Sequence, residues 1–254
     1  MQLIGETIQH VQFGKGVVTA CDHNIITIDF PTGVKRFLYP DAFEGYLVPK
    51  ETETKEEIND ILVEQKLREK RRQVENQARQ KKLSYLRSLK ISANGQAVFD
   101  LHNQKENDPF SSGCCRTGTY LSGDSKGMPR VPQQMAFNSL CILTDCQPGQ
   151  PENTRRIQAV AMVPEGYDGA SCTDGVVPFH PVHRLRLQTP IALWPYIKKE
   201  PRKSWGHASF RYISNQIGEE ILKDIRRQLK DTDQEAEAKE FYHYYCDCNH
   251  MTAR

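Results

Sequence analysis

The fold of the amino-terminal part of this chain is decided by Gln9-His10-Val11-Gln12-Phe13-Gly14-Lys15-Gly16-Val17-Val18. Gly14 and Gly16 bracket Lys15, so we expect a tight turn that requires a positive φ or a close approach of the backbone. Downstream, Phe30-Pro31-Thr32-Gly33 predicts a hairpin, because Pro presets φ and Gly adopts the left-handed region at little cost. Short β-branched or aromatic runs between turn residues predict four strands, over Thr7 to Val11, Gly16 to Cys21, Ile25 to Phe30 and Gly33 to Leu38.

This segment resembles the Tudor or SH3-like barrel at the carboxyl end of UvrD/PcrA-type DNA helicases. The resemblance is carried by His10, Phe13, Gly14, Gly16, Val18, Gly33, Lys35 and Arg36. It implies a small β-barrel that docks on a protein partner, with nucleic acid as a secondary ligand, and it makes Lys35 and Arg36 the expected contact. No Gly-x-x-x-x-Gly-Lys-[Ser/Thr] loop occurs in the sequence, so the helicase motor is absent and ATP hydrolysis is not expected.

Residues 50–90 change character, because no Gly or Pro occurs from Glu51 to Lys90 and Glu, Lys, Arg and Gln dominate. This composition predicts a long helix. Three roles remain open for it: a solvated spacer with i,i+4 ion pairs, a coiled-coil contact, or a helix that contacts phosphates. The residues on which these alternatives depend are a thin apolar seam and four arginines: Val63, Leu67, Val74, Ala78, Arg68, Arg71, Arg72 and Arg79.

Residues 91–254 read as a mixed β-rich domain with flanking helices. Four strands are predicted, over Gly95 to Leu101, Ser139 to Thr144, Arg156 to Val163 and Arg184 to Leu187. Two helices are predicted, over Ile217 to Leu229 and Glu235 to Cys248, and a long ordered loop from Lys105 to Gln134. The whole chain is therefore expected to be α+β, with a barrel at 1–49, a charged helical linker at 50–90 and a third part at 91–254.

Two segments of the last part combine guanidinium groups with aromatic rings, as a site needs to stack a base and neutralise its phosphate. The expected nucleic-acid pocket consists of Arg116, Tyr120, Trp205, Phe210, Arg211 and Tyr212. Arg116 and Arg211 would hold phosphate, and the aromatic side chains would stack a base. The alternative is that Phe210 and Tyr212 are core residues of a short strand and that Trp205 packs against a loop.

In architecture alone, this last part resembles the PUA-related folds of the EVE, YTH and ASCH group. That resemblance implies binding of RNA, or of a modified or flipped base that is taken out of DNA into an aromatic cage. No motif in the sequence is specific for the group.

The eight cysteines and eight histidines do not form a standard zinc pattern. Adjacent cysteines and Cys-x-Cys are poor chelating arrangements, so no cofactor is expected, and zinc stays open only through Cys114, Cys172, His180 and His183. A nucleophilic cysteine, Cys114 or Cys115 beside a histidine, is a second open alternative. A metal-dependent nuclease is disfavoured because the late Glu-x-Lys, Glu237-Ala-Lys239, falls on a predicted helix.

The formal net charge of +2 is lower than that of strong non-specific DNA-binding proteins, which are usually more basic. A basic middle between two acidic ends is mildly suited to contact with a polyanion. No apolar run approaches the roughly 18 residues of a membrane helix, and Met1-Gln2-Leu3-Ile4-Gly5 is not a signal peptide. We therefore expect a cytoplasmic, non-enzymatic adaptor. Its partners would be DNA or RNA and a protein of a repair, transcription or defence complex, with no membrane contact. The alternatives are a pure protein-interaction module and a cysteine- or metal-dependent enzyme.

Overall fold

The computed structural model describes residues 3–104, 108–198 and 209–253. The chain divides into two compact units, Met1–Lys82 (unit 1) and Leu83–Arg254 (unit 2). The described residues form three sheets and five α-helices, so the chain is mixed α+β, as the sequence predicts. None of these helices is both long and apolar enough to cross a membrane.

Unit 1 is built on an antiparallel sheet of five strands. They are β1 (Thr7–His10), β2 (Gly14–Asp22), β3 (Ile25–Phe30), β4 (Gly33–Leu38) and β5 (Leu47–Pro49), in the order β4-β3-β2-β1-β5. In the described residues β4 and β5 do not pair, so hydrogen bonding does not close this sheet into a barrel. Strands β1 to β4 and the β3–β4 hairpin nevertheless lie where the sequence predicts them, whereas β5 is not among the predicted strands.

The two glycines of the opening stretch are required for different reasons. Gly14 has φ +76°, which an L side chain adopts only with strain. A Cβ on Gly16 would lie 2.6 Å from the Phe30 ring, so the backbone of β2 approaches this ring closely. Both requirements that the sequence predicts are present, one at each glycine.

Helix α1 (Thr52–Ser88) contains 37 residues and confirms the predicted long helix. Near its start, Ile58 is 2% exposed and packs in the unit 1 core, together with sheet residues such as Ile26 and Ile28. Residues 63–82 are exposed throughout. Leu86, in the last turns of α1, is buried in the core of unit 2.

Unit 2 contains seven strands and four helices among its described residues. The strands are β6 (Gln96–Asp100), β7 (Cys114–Arg116), β8 (Leu140–Asp145), β9 (Arg156–Met162), β10 (Val176–Pro178), β11 (Arg184–Ala192) and β12 (Phe210–Ile213). The helices are α2 (Pro109–Ser112), α3 (Trp194–Ile197), α4 (Asn215–Gln228) and α5 (Glu235–Cys248). Five strands form the central sheet in the order β11-β9-β8-β6-β12, with β6 parallel to β8 and the other pairs antiparallel, while β7 and β10 pair separately.

Side chains on the central sheet alternate between two faces. On the helix-covered face, residues such as Val98, Ile142 and Val160 share one core with α4 and α5. On the opposite, loop-covered face, residues such as Phe99 and Leu143 pack in a second core, which receives Cys115 from β7 and Val177 from β10. The candidate site lies on the loop-covered face.

Candidate nucleic-acid interface

A cavity of about 470 Å³ opens on the loop-covered face of the central sheet. Its apolar lining is Leu101, Phe110, Leu143, Ala159 and Leu187, and its polar lining is His102, Asp108, Asp145, Gln158 and Arg186. The volume lies within the range of roughly 300–1,000 Å³ that is usual for small-molecule sites. The cavity can therefore hold one flat ring system with polar groups at its edge.

The cavity exists because two strands of the sheet are irregular at this point. Between β8 and β9 the register shifts, so that Leu143 pairs with Ala159 and Thr144 pairs with Ile157. Gln158 is the extra residue of this bulge, and bulges redirect side chains. Strand β11 also shifts register against β9 after Arg186. The extra residue therefore adds the Gln158 amide to the polar lining of the cavity.

Phe110 forms an aromatic wall of the cavity and is flanked by two arginines. The guanidinium carbons of Arg184 and Arg186 lie 5.5 and 5.1 Å from the centre of the Phe110 ring. Asp108 caps helix α2 by accepting a hydrogen bond from the Phe110 N–H, and its carboxylate forms an ion pair with Arg186. Partial burial opposes ionisation of Asp108, but hydrogen bonds from Ser111 and Arg186 lower its pKa below the usual value.

A second hollow of about 310 Å³ adjoins the cavity, because Asp145 and Gln158 line both. Its other lining residues are Gln147, Gln150, Thr154 and Arg156. The Arg156 side chain is exposed and donates a hydrogen bond to the carbonyl of Pro190. The two hollows together form a groove with an aromatic wall near one end and a guanidinium group near the other.

Two of the predicted site residues, Phe210 and Tyr212, lie on strand β12 and pack against the core of the loop-covered face. The Phe210 ring stacks on Phe99 at 5.4 Å between centroids, and the Arg130 guanidinium carbon lies 5.1 Å from its centre. With 4% of its surface exposed, Phe210 occupies a core position and its ring is not open to a base.

Tyr212 is half-buried beside Phe210, with the two rings edge to face at 5.2 Å. Its hydroxyl accepts a hydrogen bond from the Gln134 N–H at 3.3 Å, and burial raises its pKa. Tyr120 and Arg116 are more accessible: Tyr120 is 37% exposed and Arg116 is exposed. Arg116 and Tyr120 are therefore the predicted residues with free side-chain surface on this part of the unit.

Arg211 lies between Phe210 and Tyr212 in the strand, so its side chain leaves the sheet on the opposite face. It pairs in register with Val98, which belongs to the helix-covered core. The structure therefore separates Arg211 from the other predicted residues of β12. Trp205 lies outside the described residues.

Of the four open zinc candidates, His180 and His183 lie side by side, with their ring centroids 4.5 Å apart. His180 Nδ1 accepts hydrogen bonds from the N–H groups of Val182 and His183, and the His183 ring stacks on Tyr244 at 3.6 Å. The Cys172 thiol contacts Asp174, and the Cys114 thiol contacts Ser112. Within residues 3–104, 108–198 and 209–253, no group of three or more His, Cys, Asp and Glu side chains is placed to hold a metal ion.

Of the two candidate nucleophiles, Cys114 and Cys115, the second is fully buried. Cys115 has no exposed surface, and burial raises its pKa well above the usual value. A thiol with a raised pKa carries little thiolate at neutral pH, and the thiolate is the nucleophile. The surroundings of Cys115 therefore favour a packing role.

In unit 1, the two predicted docking residues lie on β4, an edge strand of the sheet. Lys35 Nζ lies 5.4 Å from the centre of the Phe13 ring, and the Arg36 side chain is exposed. Val11 and Tyr46, which are 74% and 64% exposed, are joined by a backbone hydrogen bond of 3.2 Å. The surface of unit 1 therefore carries both cations and exposed apolar side chains.

Sequence reasoning did not identify the residues that line the groove. One local signal was present, because Asp108-Pro109 is a helix N-cap followed by Pro, which marks the short helix that presents Phe110. The bulge at Gln158 has no comparable signal. No protein-family model, curated protein or solved structure matches this chain.

Proposed function

We propose that the protein is a non-enzymatic adaptor in which unit 2 binds nucleic acid and unit 1 docks on a protein partner. The proposal rests on one observation above all: the 470 Å³ cavity combines an aromatic wall at Phe110, a guanidinium at Arg186 and an amide at Gln158. Aromatic side chains and Arg stack bases, and amide or carboxylate groups hydrogen-bond to base edges.

The cavity has the size and polarity to receive one nucleobase rather than a paired duplex. A flipped or single-stranded base would lie against Phe110, with Asp145 and Gln158 at its polar edge. Arg156, in the adjoining hollow, would contact a neighbouring phosphate. In this proposal Arg116 and Tyr120 are further surface contacts, while Phe210 and Tyr212 support the site from within the core. A modified base is included, because the cavity exceeds the volume of a plain pyrimidine.

Unit 1 would act as the docking module, in keeping with its resemblance to Tudor and SH3-like barrels. Lys35 and Arg36 provide positive charge, and Val11 and Tyr46 provide exposed apolar surface. An acidic peptide with apolar side chains is the partner class that complements such a surface. A repair, transcription or defence complex is the expected source of such a partner.

The nucleic-acid proposal is tested by fluorescence anisotropy with labelled single- and double-stranded DNA and RNA, plain and base-modified. We expect binding at about 50 mM salt that weakens as salt increases. Phe110→Ala should weaken binding of single-stranded or modified oligonucleotides by about tenfold, because one stacked base contributes roughly 1–3 kcal/mol. Gln158→Ala should weaken it by up to about tenfold, because it removes a hydrogen bond to the edge of the base, worth roughly 0.5–1.5 kcal/mol.

Tyr46→Ala is the matched control, because it truncates a 64% exposed aromatic residue in unit 1. It should leave oligonucleotide binding unchanged. If no oligonucleotide binds the wild-type protein at low salt, the nucleic-acid function is lost and the pure interaction module is the better description. Stoichiometric zinc in elemental analysis of the purified protein would contradict the proposal that no cofactor is needed.

A further inference from the structure

Helix α1 is rich in charged residues, and its charge is unevenly distributed along its length. Residues 50–65 carry two Lys and six Asp or Glu, whereas residues 66–82 carry eight Lys or Arg and only two Glu. Every residue from 66 to 82 is exposed. Residues 66–82 of helix α1 therefore form an exposed, strongly positive surface.

The arginines of this segment lie on one side of the helix. At about 100° per residue, the positions of Arg68, Arg71, Arg72, Arg79 and Lys82 fall within an arc of roughly 100°. At about 1.5 Å per residue they extend over about 21 Å of the helix axis. We name these five residues the arginine stripe. Three other cations, Lys66, Lys70 and Lys81, lie on the opposite half of the helix.

Three of the five residues of the arginine stripe have no ion-pair partner among the described residues. Arg68 is paired with Glu64, but Arg71, Arg72 and Arg79 form no ion pair with any described residue. One carboxylate, Glu75, lies within three or four positions of all three arginines, but it forms no ion pair with any of them. A single carboxylate cannot neutralise three guanidinium groups, so at least two of them stay available to an external anion.

We propose that the arginine stripe binds the phosphate backbone of duplex DNA, independently of base sequence. Arginine provides forked donors that match phosphate oxygens. An α-helix about 10–12 Å across also fits the major groove of B-DNA, which is about 12 Å wide, whereas the major groove of duplex RNA is too narrow. This site lies in unit 1, so it is separate from the cavity of unit 2 and does not depend on it.

Two other partners of the same helix fit less well. A helix that lies on an anionic membrane needs a wide apolar face, whereas the exposed apolar side chains here form only a thin seam of Val63, Leu67, Val74 and Ala78. The same seam is too narrow for the core of a coiled coil with a second copy.

The test compares two triple variants of the full chain that change the net charge equally. Arg71→Gln/Arg72→Gln/Arg79→Gln removes the unpaired arginines of the stripe. Lys55→Gln/Lys70→Gln/Lys81→Gln removes three exposed lysines from the other half of the helix. Gln has a helix propensity close to those of Arg and Lys, so the ellipticity at 222 nm should stay unchanged in both.

Binding to a 20-base-pair DNA duplex is measured by anisotropy from 25 to 200 mM salt. The wild-type protein should bind, and the arginine variant should bind about tenfold or more weakly. The slope of the logarithm of the binding constant against the logarithm of the salt concentration should be shallower by roughly 0.9 for each phosphate that the variant no longer neutralises. The lysine variant should bind less than about threefold more weakly. Arg71→Lys/Arg72→Lys/Arg79→Lys, which keeps the charge but not the forked donors, should fall between wild type and the arginine variant.

Three outcomes would overturn the proposal. They are equal losses of affinity in the arginine and lysine variants, no duplex binding by the wild-type protein, and binding of phosphatidylserine vesicles with no binding of DNA. A wild-type dimer that the arginine variant converts to a monomer, seen by light scattering, would assign the arginine stripe to self-association instead. Phe110→Ala distinguishes the two proposals. It should leave the affinity and the salt dependence of duplex binding unchanged, because the arginine stripe does not include Phe110. Duplex binding can therefore be confirmed even if the cavity binds no base.

Discussion

The two faces of the central sheet in unit 2 use the same strands but are covered in different ways. The helix-covered face is sealed by α4 and α5, whose buried side chains include Ile221, Phe241 and Tyr245. The loop-covered face is closed by short strands and loops, and the groove at Phe110 stays open. A regular helical cover favours stability, whereas an irregular cover leaves a concave surface that can bind a ligand.

The largest expected effect comes from truncating one aromatic side chain on each face of the central sheet and comparing the losses of stability. Tyr245 has no exposed surface, and its hydroxyl donates a hydrogen bond of 2.7 Å to the carbonyl of Asn215. Tyr245→Ala should lower the free energy of unfolding by about 3–5 kcal/mol, because it leaves a large cavity in the core. Phe110→Ala, on the half-buried wall of the groove, should cost less than about 1.5 kcal/mol, because a partly exposed side chain leaves a smaller void.

Urea unfolding followed by fluorescence and circular dichroism measures both losses. Tyr245→Phe is the control for the hydroxyl group and should cost about 1 kcal/mol. Equal losses for Tyr245→Ala and Phe110→Ala would show that the two faces do not divide stability and binding in this way.

The elements on the helix-covered face could be predicted from the sequence because their signals are local. Helix α4 shows an apolar residue every three or four positions, as at Ile217, Ile221 and Ile225. The opening hairpins of unit 1 are set by Gly14 and Gly33, whose positive φ values satisfy the turn geometry that the sequence predicts. Signals within a few residues are therefore sufficient for both the helices and the turns.

The groove could not be predicted, because it depends on contacts between distant residues. The bulge at Gln158 arises from how β9 pairs with its two neighbours, and nothing in the local sequence marks it. Phe210 shows the same limit, because its burial depends on Phe99 and Arg130, far away in the chain. A segment of aromatic residues and arginine is compatible with a nucleic-acid site and also with a buried strand. The residues that pack against the strand in the fold determine which of the two it is.

The next largest loss of stability is expected in a buried network of amide side chains that includes Asn138 and Asn249. Asn138, which has no exposed surface, exchanges hydrogen bonds with the backbone of Ser92 and donates to Asn249 at 2.8 Å. Asn138→Ala would remove the acceptor of the Ser92 N–H and a donor to Asn249, while the Ser92 carbonyl keeps its hydrogen bond from Asn215. Unfolding should therefore become easier by about 1–3 kcal/mol. Asn153→Ala, at an exposed position, should stay within about 0.5 kcal/mol of wild type. A small effect of Asn138→Ala in the same urea titration would mean that water replaces the network.

The smallest expected effect concerns the ion pair between Asp108 and Arg186, which both line the cavity. Asp108 and Arg186 are 40% and 56% exposed, so solvent screens the pair and its contribution should stay below about 1 kcal/mol. Because hydrogen bonding to Ser111 and Arg186 lowers the pKa of Asp108 in the folded protein, the stabilisation is present above the unfolded-state pKa and is lost as pH falls through the folded one.

Asp108→Asn isolates this charge, because Asn caps a helix about as well as Asp. The difference in unfolding free energy between wild type and Asp108→Asn should be largest near pH 6 and should shrink as the pH is lowered toward 2. A difference that stays near zero over this range would mean that the carboxylate stabilises the protein only as the helix cap, which Asn supplies about equally well. The stability of the groove wall would then come from the backbone geometry of α2, and Arg186 would be free to contact a ligand without first breaking an ion pair.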